Sequence, residues 1–244
     1  MKTSNIAVAA AAVVVTTLAT YRAKADTTTL VAPIGWLTTG SNLVKSGTNT
    51  PLKWSITYPS TVVDYVGVTY PALLIPKQKL DYEIRVLGAG VTTSNSDGSN
   101  LSYVLTEAVL SSNGGSYNRI FYGTNNDVNP GKIVANGTLN ANQTLRFGGR
   151  YYYSGSWSTL YTSSSGTKNV RTLVNGDYPP TTYTLATAPT LENFIKPYLN
   201  ASGRVVIGPM DVIVFMELTH TDAQSTQQGY DCQDMVLLVT FKIK

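Results

Sequence analysis

Leu80-Asp-Tyr-Glu-Ile-Arg-Val-Leu87 alternates apolar and charged residues along its length. In an extended chain, successive side chains point to opposite faces. Leu80, Tyr82, Ile84 and Val86 then share one face, and Asp81, Glu83 and Arg85 the other. The segment reads as a half-exposed strand on a core. Two later segments read differently. Val212-Ile-Val-Phe-Met-Glu-Leu218 and Met235-Val-Leu-Leu-Val-Thr-Phe241 are apolar on both faces. Such strands are central and covered on both sides, or form an interface. They predict a terminal hairpin around which the core condenses.

The rest of the chain has the same texture. Short β-branched and aromatic runs are bounded by Gly, Pro, Asn or Ser, which punctuate strands with turns. Further strands are expected at Leu52–Tyr58, Val62–Ile75 (one or two, divided near Gly67 or Pro71), Leu101–Leu110, Asn118–Gly123, Lys132–Asn136 and Gln143–Phe147. Others are expected at Arg150–Tyr153, Thr159–Thr162, Asn169–Val174, Thr181–Ala186 and Arg204–Ile207. One short helix is expected after Pro189, with Leu191, Phe194 and Ile195 on one side and Pro197 as its limit. The expected fold class is all-β: a single β-sandwich or jelly-roll-like domain with that one short helix.

Ahead of this domain, Lys2 precedes an uncharged run from Thr3 to Tyr21, and Ala23-x-Ala25 closes it. A positive start, an apolar stretch and a small-residue cleavage signal describe a secretory signal peptide. Residues 1–25 are read as that leader and 26–244 as an extracellular domain. A retained membrane anchor is the rival reading, and Arg22 and Lys24 would suit its flank. Either way, the expected location is secreted or cell-surface.

Lys2, Arg22 and Lys24 belong to the leader, and without them 15 basic residues face 14 acidic ones. No basic run exists, so a nucleic-acid footprint is absent from the sequence. Charged residues make up only 13% of the chain. Low charge means weak mutual repulsion, which permits association. Cys232 is alone and forms no disulfide within one chain.

No catalytic signature is present. There is no G-x-S-x-G or H-E-x-x-H segment, and His220 is the one histidine. A Cys232–His220 dyad across the last loop lacks electropositive surroundings. Five of the 14 acids, Asp211, Glu217, Asp222, Asp231 and Asp234, fall within 24 residues. Asp222, Asp231 and Asp234 bracket one loop and are the candidate calcium ligands, with solvated turn acids as the plain alternative. No other cofactor is expected. The Phe147–Trp157 stretch is rich in Tyr, Gly and Ser. Tyr151, Tyr152, Tyr153 and Trp157 are the candidate glycan-binding residues, since such rings suit sugar stacking or protein interfaces. Asn100, Asn136, Asn142 and Asn200 head N-x-S/T triplets.

Three functions follow as expectations. The first is a non-enzymatic, exported structural or surface protein that self-associates. In its strand-addition form, the apolar segment Thr29–Leu37 supplies the added strand. Its partners would be copies of itself or other surface proteins. The second is an extracellular carbohydrate-binding module using the Tyr/Trp patch. The third is a glycan hydrolase or lyase using carboxylates near Glu217. A jelly-roll virion subunit is disfavoured by the leader and by the lack of a basic arm.

Overall fold

The computed structural model of the chain describes residues 34–39, 52–57, 61–95, 99–183 and 188–244. The leader, residues 29–33 of the apolar segment and residues 184–186 of an expected strand lie outside the described residues. The chain is mostly β-strand, in several antiparallel sheets with short helical pieces.

One sheet has five strands in the order Ile133–Leu139, Leu80–Gly88, Met235–Ile243, Asp211–Met216 and Val170–Leu173. The second has seven. Its main path runs Val66–Thr69, Leu73–Pro76, Leu145–Tyr153, Leu105–Ser112 and Asn118–Gly123. The short strands Ser156–Trp157 and Tyr161–Thr162 also pair with Leu145–Tyr153. Ile34–Thr39 pairs with Leu52–Thr57 as a separate two-stranded sheet. Thr92–Thr93 and Ser102–Tyr103 form a second small pair.

The alternation at Leu80 does what its pattern dictates. Leu80, Tyr82, Ile84 and Val86 are buried, while Asp81, Glu83 and Arg85 are half-buried on the other face. There Glu83 pairs with Arg85 at 3.0 Å and also takes Lys242. One apolar cluster joins the two larger sheets. Leu80, Ile84, Val212, Val214, Leu237 and Val239 come from the five-stranded sheet, and Leu74, Ala108, Leu145 and Phe147 from the other.

The last two strands are central and covered on both sides. Ile213, Phe215, Val236 and Leu238 face away from the shared cluster into a second one. Leu191 and Ile195 of the helix Leu191–Ile195, with Val205, Ile207 and Tyr230, cover that face. Each fully buried aliphatic side chain there contributes ~1.5–3 kcal/mol. The apolar outer face of the hairpin is therefore satisfied within the chain and is not an open interface.

Several boundaries differ from the sequence expectation. Val62–Tyr65 is a helical turn, not the start of a strand, because Thr61 and Asp64 cap each other reciprocally. Gln143–Phe147 and Arg150–Tyr153 are parts of one strand, Leu145–Tyr153, that runs through Gly148-Gly149. The two glycines mark close approach rather than a turn. A Cβ at Gly148 would lie 2.8 Å from the Tyr161 carbonyl, and one at Gly149 would lie 2.9 Å from Met216 Sδ. The strand expected over Leu101–Leu110 is broken at Val104 and extends to Ser112. Arg204–Ile207 makes only a single bridge, Leu199 to Val205. Thr190 caps the helix, which places Pro189 outside its first turn, and a 3-10 turn over Lys196–Tyr198 ends it. No helix among the described residues is long and apolar enough to cross a membrane.

Candidate functional site

Two glutamates are almost completely buried, and they organise the two chemically distinctive regions of the molecule. Glu107 is 2% exposed and Glu217 is 1% exposed.

Glu107 lies in the strand Leu105–Ser112. Ala108 and Leu110 of that strand join the shared cluster, so alternation turns Glu107 to the outer face of the seven-stranded sheet. Strand register sets Arg150 opposite it on one side and Tyr122 on the other. A bulge between Ala108 and Val109 brings Arg119 onto the same face. Arg119 Nε donates to Glu107 Oε2 at 2.6 Å, and Arg150 Nε donates to Oε1 at 2.8 Å. The terminal nitrogens of both guanidiniums also reach the carboxylate, at 2.5 and 2.8 Å. Such forked, charge-assisted contacts fix orientation as well as energy.

The two arginines in turn hold aromatic rings. The Arg119 guanidinium sits 4.5 Å from the centre of the Tyr122 ring, and that of Arg150 sits 4.5 Å from the Trp157 ring. Tyr152 meets Trp157 edge-on at 5.4 Å, and Tyr122 meets it at 6.1 Å. Tyr122 is 50% exposed and Tyr152 is 38% exposed. The result is a patch of three rings and two cations anchored on one buried carboxylate.

Of the candidate glycan residues, Tyr152 and Trp157 meet in this patch. Tyr151 does not join them: it packs against the inter-sheet core, where burial raises its phenol. Tyr153 is exposed at the end of the strand and makes no ring contact among the described residues. Sequence reasoning missed Arg119, Tyr122 and Arg150, and did not place Glu107 in this patch. The available signals were Arg150 and Tyr152 two residues apart, and a lone acid inside the otherwise uncharged Leu105-Thr-Glu-Ala-Val-Leu110.

Glu217 ends the strand Asp211–Met216, and its carboxylate gathers backbone donors. Oε1 accepts from the N–H groups of Thr219 and His220 at 3.1 and 3.0 Å, and from Thr219 Oγ1 at 2.6 Å. Oε2 accepts from the N–H groups of Asp231 and Cys232 at 3.1 and 3.0 Å. Burial alone would raise the Glu217 carboxyl. Hydrogen bonds from His220, Thr219, Cys232 and Asp234 outweigh it and hold the group below its ordinary value.

Its neighbours shift the other way. Burial, then the Glu217 charge, pushes Asp231 up to about 7. Burial and the charges of Glu217 and Asp231 push Asp234 well above its ordinary value, although Asp234 Oδ2 accepts the Leu218 N–H at 2.6 Å. The hydrogen bond to Glu217 raises His220. Burial pushes the Cys232 thiol up to about 12, the state of an unreactive thiol. Cys232 Sγ instead accepts a hydrogen bond from Arg171 Nη2 at 2.7 Å.

The carboxylates near Glu217 thus close a loop, and both Glu217 oxygens are taken by donors. Of the candidate calcium ligands, Asp231 and Asp234 belong to this buried cluster. Asp222 caps the Lys168 N–H at 3.0 Å. Among the described residues, no three His, Cys, Asp or Glu side chains are grouped to hold a metal ion.

A cavity of about 320 Å³ adjoins the patch through Tyr122. It opens between the edge strands Asn118–Gly123 and Ile133–Leu139, one from each sheet. Compared with protein-family profiles, with curated proteins and with solved structures, the chain matches none.

Proposed function

We propose that this protein is an exported, non-enzymatic structural protein that associates with copies of itself through the outer face of the seven-stranded sheet. The observation that carries the reading is the state of the rings. Trp157 and Tyr122 each have a guanidinium over one face, and Trp157 is further flanked by Tyr122 and Tyr152. The guanidiniums and the mutual ring contacts fix the cluster as one unit while Tyr122 and Tyr152 stay 50% and 38% exposed, so a partner surface can meet it as a whole. Tyr, Trp and Arg locked into a pre-organised cluster are the chemistry of protein-interface hot spots.

A second copy is the occupant the composition favours. Charge is sparse, and beyond the leader it nearly cancels, so two copies repel weakly. The patch also borders Asn118–Gly123, an edge strand whose outer side has no strand partner among the described residues. Exposed edges are templates for strand addition. The strand-addition form of the reading takes a different shape from a single donor strand. Ile34–Thr39 is already paired with Leu52–Thr57, so a two-stranded unit is what would be added. Such a pair is marginal by itself in water and gains from a further surface.

At the level of architecture, the shared apolar cluster supports a β-sandwich. The order Leu80–Gly88, Met235–Ile243, Asp211–Met216, Val170–Leu173 is a Greek-key arrangement, in which an early strand returns beside the last of three successive ones. The leader reading, and with it export, rests on the sequence pattern at residues 1–25.

Intact mass and light scattering on the exported protein test this. The reading expects a chain beginning at Asp26 that forms oligomers, with Arg150→Ala and Trp157→Ala reduced to monomer. Oligomers that persist in both variants, or a wild-type protein that stays monomeric at all concentrations, would overturn it. The carbohydrate-binding reading remains second, favoured by the cavity beside Tyr122. The hydrolase reading comes third, since both Glu217 oxygens already accept hydrogen bonds from their own loop.

A further inference from the structure

We infer that the strand pair Ile34–Thr39 and Leu52–Thr57 is an arm that adds to the Asn118–Gly123 edge of a second copy, so that copies join head to tail. The inference rests on the self-association reading and deepens it, by naming the segment that meets the edge beside the ring patch.

The arm is a unit of its own with one apolar face. It joins neither of the two larger sheets. Residues opposite each other in an antiparallel pair share a face, and alternate residues along each strand share it too. Leu37 stands opposite Trp54, Gly35 opposite Ile56 and Thr39 opposite Leu52. Leu37, Leu52, Trp54 and Ile56 therefore fall on one face of the pair. A two-stranded ribbon is marginal alone in water, and an apolar face gains from being covered. From Thr29 to Ser60 the only charged residues are Lys45 and Lys53, so docking this segment takes little charge out of water.

The arm is rooted on the far side of the sheet from the edge it fits. Three residues, 58–60, join Thr57 to Thr61. The turn that follows is tied down. The Val62 N–H donates to the Pro209 carbonyl at 2.6 Å, and the Lys77 N–H donates to the Tyr65 carbonyl at 2.7 Å. That turn leads directly into Val66–Thr69, one outer strand of the seven-stranded sheet. Asn118–Gly123 is the outer strand at the other end of the main path, four strand steps away. Four steps are about 19 Å at the usual strand spacing. From Thr57 to Thr61 the chain spans at most about 14 Å. The linker is shorter than the sheet is wide, so the arm stays on its own side and meets the open edge of a neighbouring copy.

Arm and edge match in size and character. Each arm strand has six residues, as has Asn118–Gly123, whereas the edge strand Val66–Thr69 has four. The Asn118–Gly123 edge brings Ile120 and Phe121, partly buried against the inter-sheet cluster, and Tyr122 of the ring patch. Strand addition there supplies main-chain partners and extends the apolar surface together. Arm and edge are different surfaces on opposite sides of one copy. A contact between them is heterologous, and repeating it builds a ring or an open chain rather than a two-fold dimer.

Sedimentation velocity on the full-length exported protein tests the inference with two variants. Trp54→Asp places a charge on the apolar face of the arm. Tyr122→Lys places a lysine on the edge strand, the residue that most often guards such edges. Both are expected to keep the wild-type circular dichroism spectrum. The wild type is expected to form assemblies larger than a dimer as concentration rises. Each variant alone is expected to stay monomeric at those concentrations. An equal mixture of the two is expected to form a dimer and nothing larger, because the intact arm of one copy meets the intact edge of the other. Leu37→Asp, opposite Trp54 in the register, is expected to behave as Trp54→Asp does. If the arm variants assemble as the wild type does, or the mixture stays monomeric, or the wild type stops at a dimer, the inference is overturned while self-association through the outer face stands. If the wild type is monomeric at every concentration, both fall.

Discussion

Glu107 and Glu217 are equally buried and differ in what satisfies them. Glu217 is held by backbone N–H groups of its own loop, so its charge is spent inside the fold. Glu107 is held by two arginines whose side chains are 51% and 31% exposed, so its charge is relayed to the surface. The first arrangement closes a hairpin loop. The second presents guanidiniums and rings in a fixed array. A buried carboxylate whose partners are main chain marks construction, and one whose partners reach solvent marks presentation.

That contrast breaks most sharply at Glu217. Glu217→Gln replaces an ionised acceptor with a neutral amide among five donors. The expected cost is about 3–5 kcal/mol in denaturant unfolding, as for other buried charge networks. Glu107→Gln is expected to cost less, about 1–3 kcal/mol, since its arginines can return to water. If the two variants lose equal stability, the distinction between them is wrong.

On the presenting side, Trp157→Ala is expected to weaken self-association by about 2 kcal/mol, the size of an interface hot spot. The thermal midpoint should hardly move. Sedimentation velocity checks the first effect and calorimetry the second.

The acids around Glu217 predict a pH dependence. Asp231 and Asp234 have raised values in the fold, so the folded state binds protons that the unfolded chain releases. The stability they contribute is complete below their ordinary values and is lost as pH rises through about 7 for Asp231. His220, also raised, acts with the same sign. The Glu217 shift is opposite in sign, and its effect lies at more acidic pH. Melting curves between pH 5 and pH 8, a range set by those shifts, should show stability falling by roughly 1 kcal/mol per unit. Asp231→Asn should flatten the slope; an unchanged slope would mean that Asp231 does not carry it. The smallest effect is expected at Tyr153, which is 52% exposed. Tyr153→Ala should leave both assembly and stability within about 0.5 kcal/mol of the wild type.

Much of the fold was legible because burial follows periodicity. Leu80–Leu87 showed its core face by alternation, and the last two strands showed two covered faces by having no polar side. Legibility failed where contact replaced pattern. Gly148-Gly149 reads as a break, yet it is the place where Tyr161 and Met216 approach a strand too closely for any side chain. The patch was half legible. Tyr152 and Trp157 stood out by composition, whereas Glu107, Arg119 and Tyr122 join them only through strand register between segments distant in sequence. Tyr151 looked equivalent to Tyr152 in composition, but one step along a strand turns a ring into the core.

The most direct test of the central claim is oxidative footprinting of Trp157 and Tyr122 as protein concentration rises. The account predicts that both become protected in step with the appearance of oligomers, while Tyr153 and Tyr178, each more than half exposed and outside the patch, stay labelled. Oligomers that leave Trp157 and Tyr122 as reactive as in the monomer would contradict it.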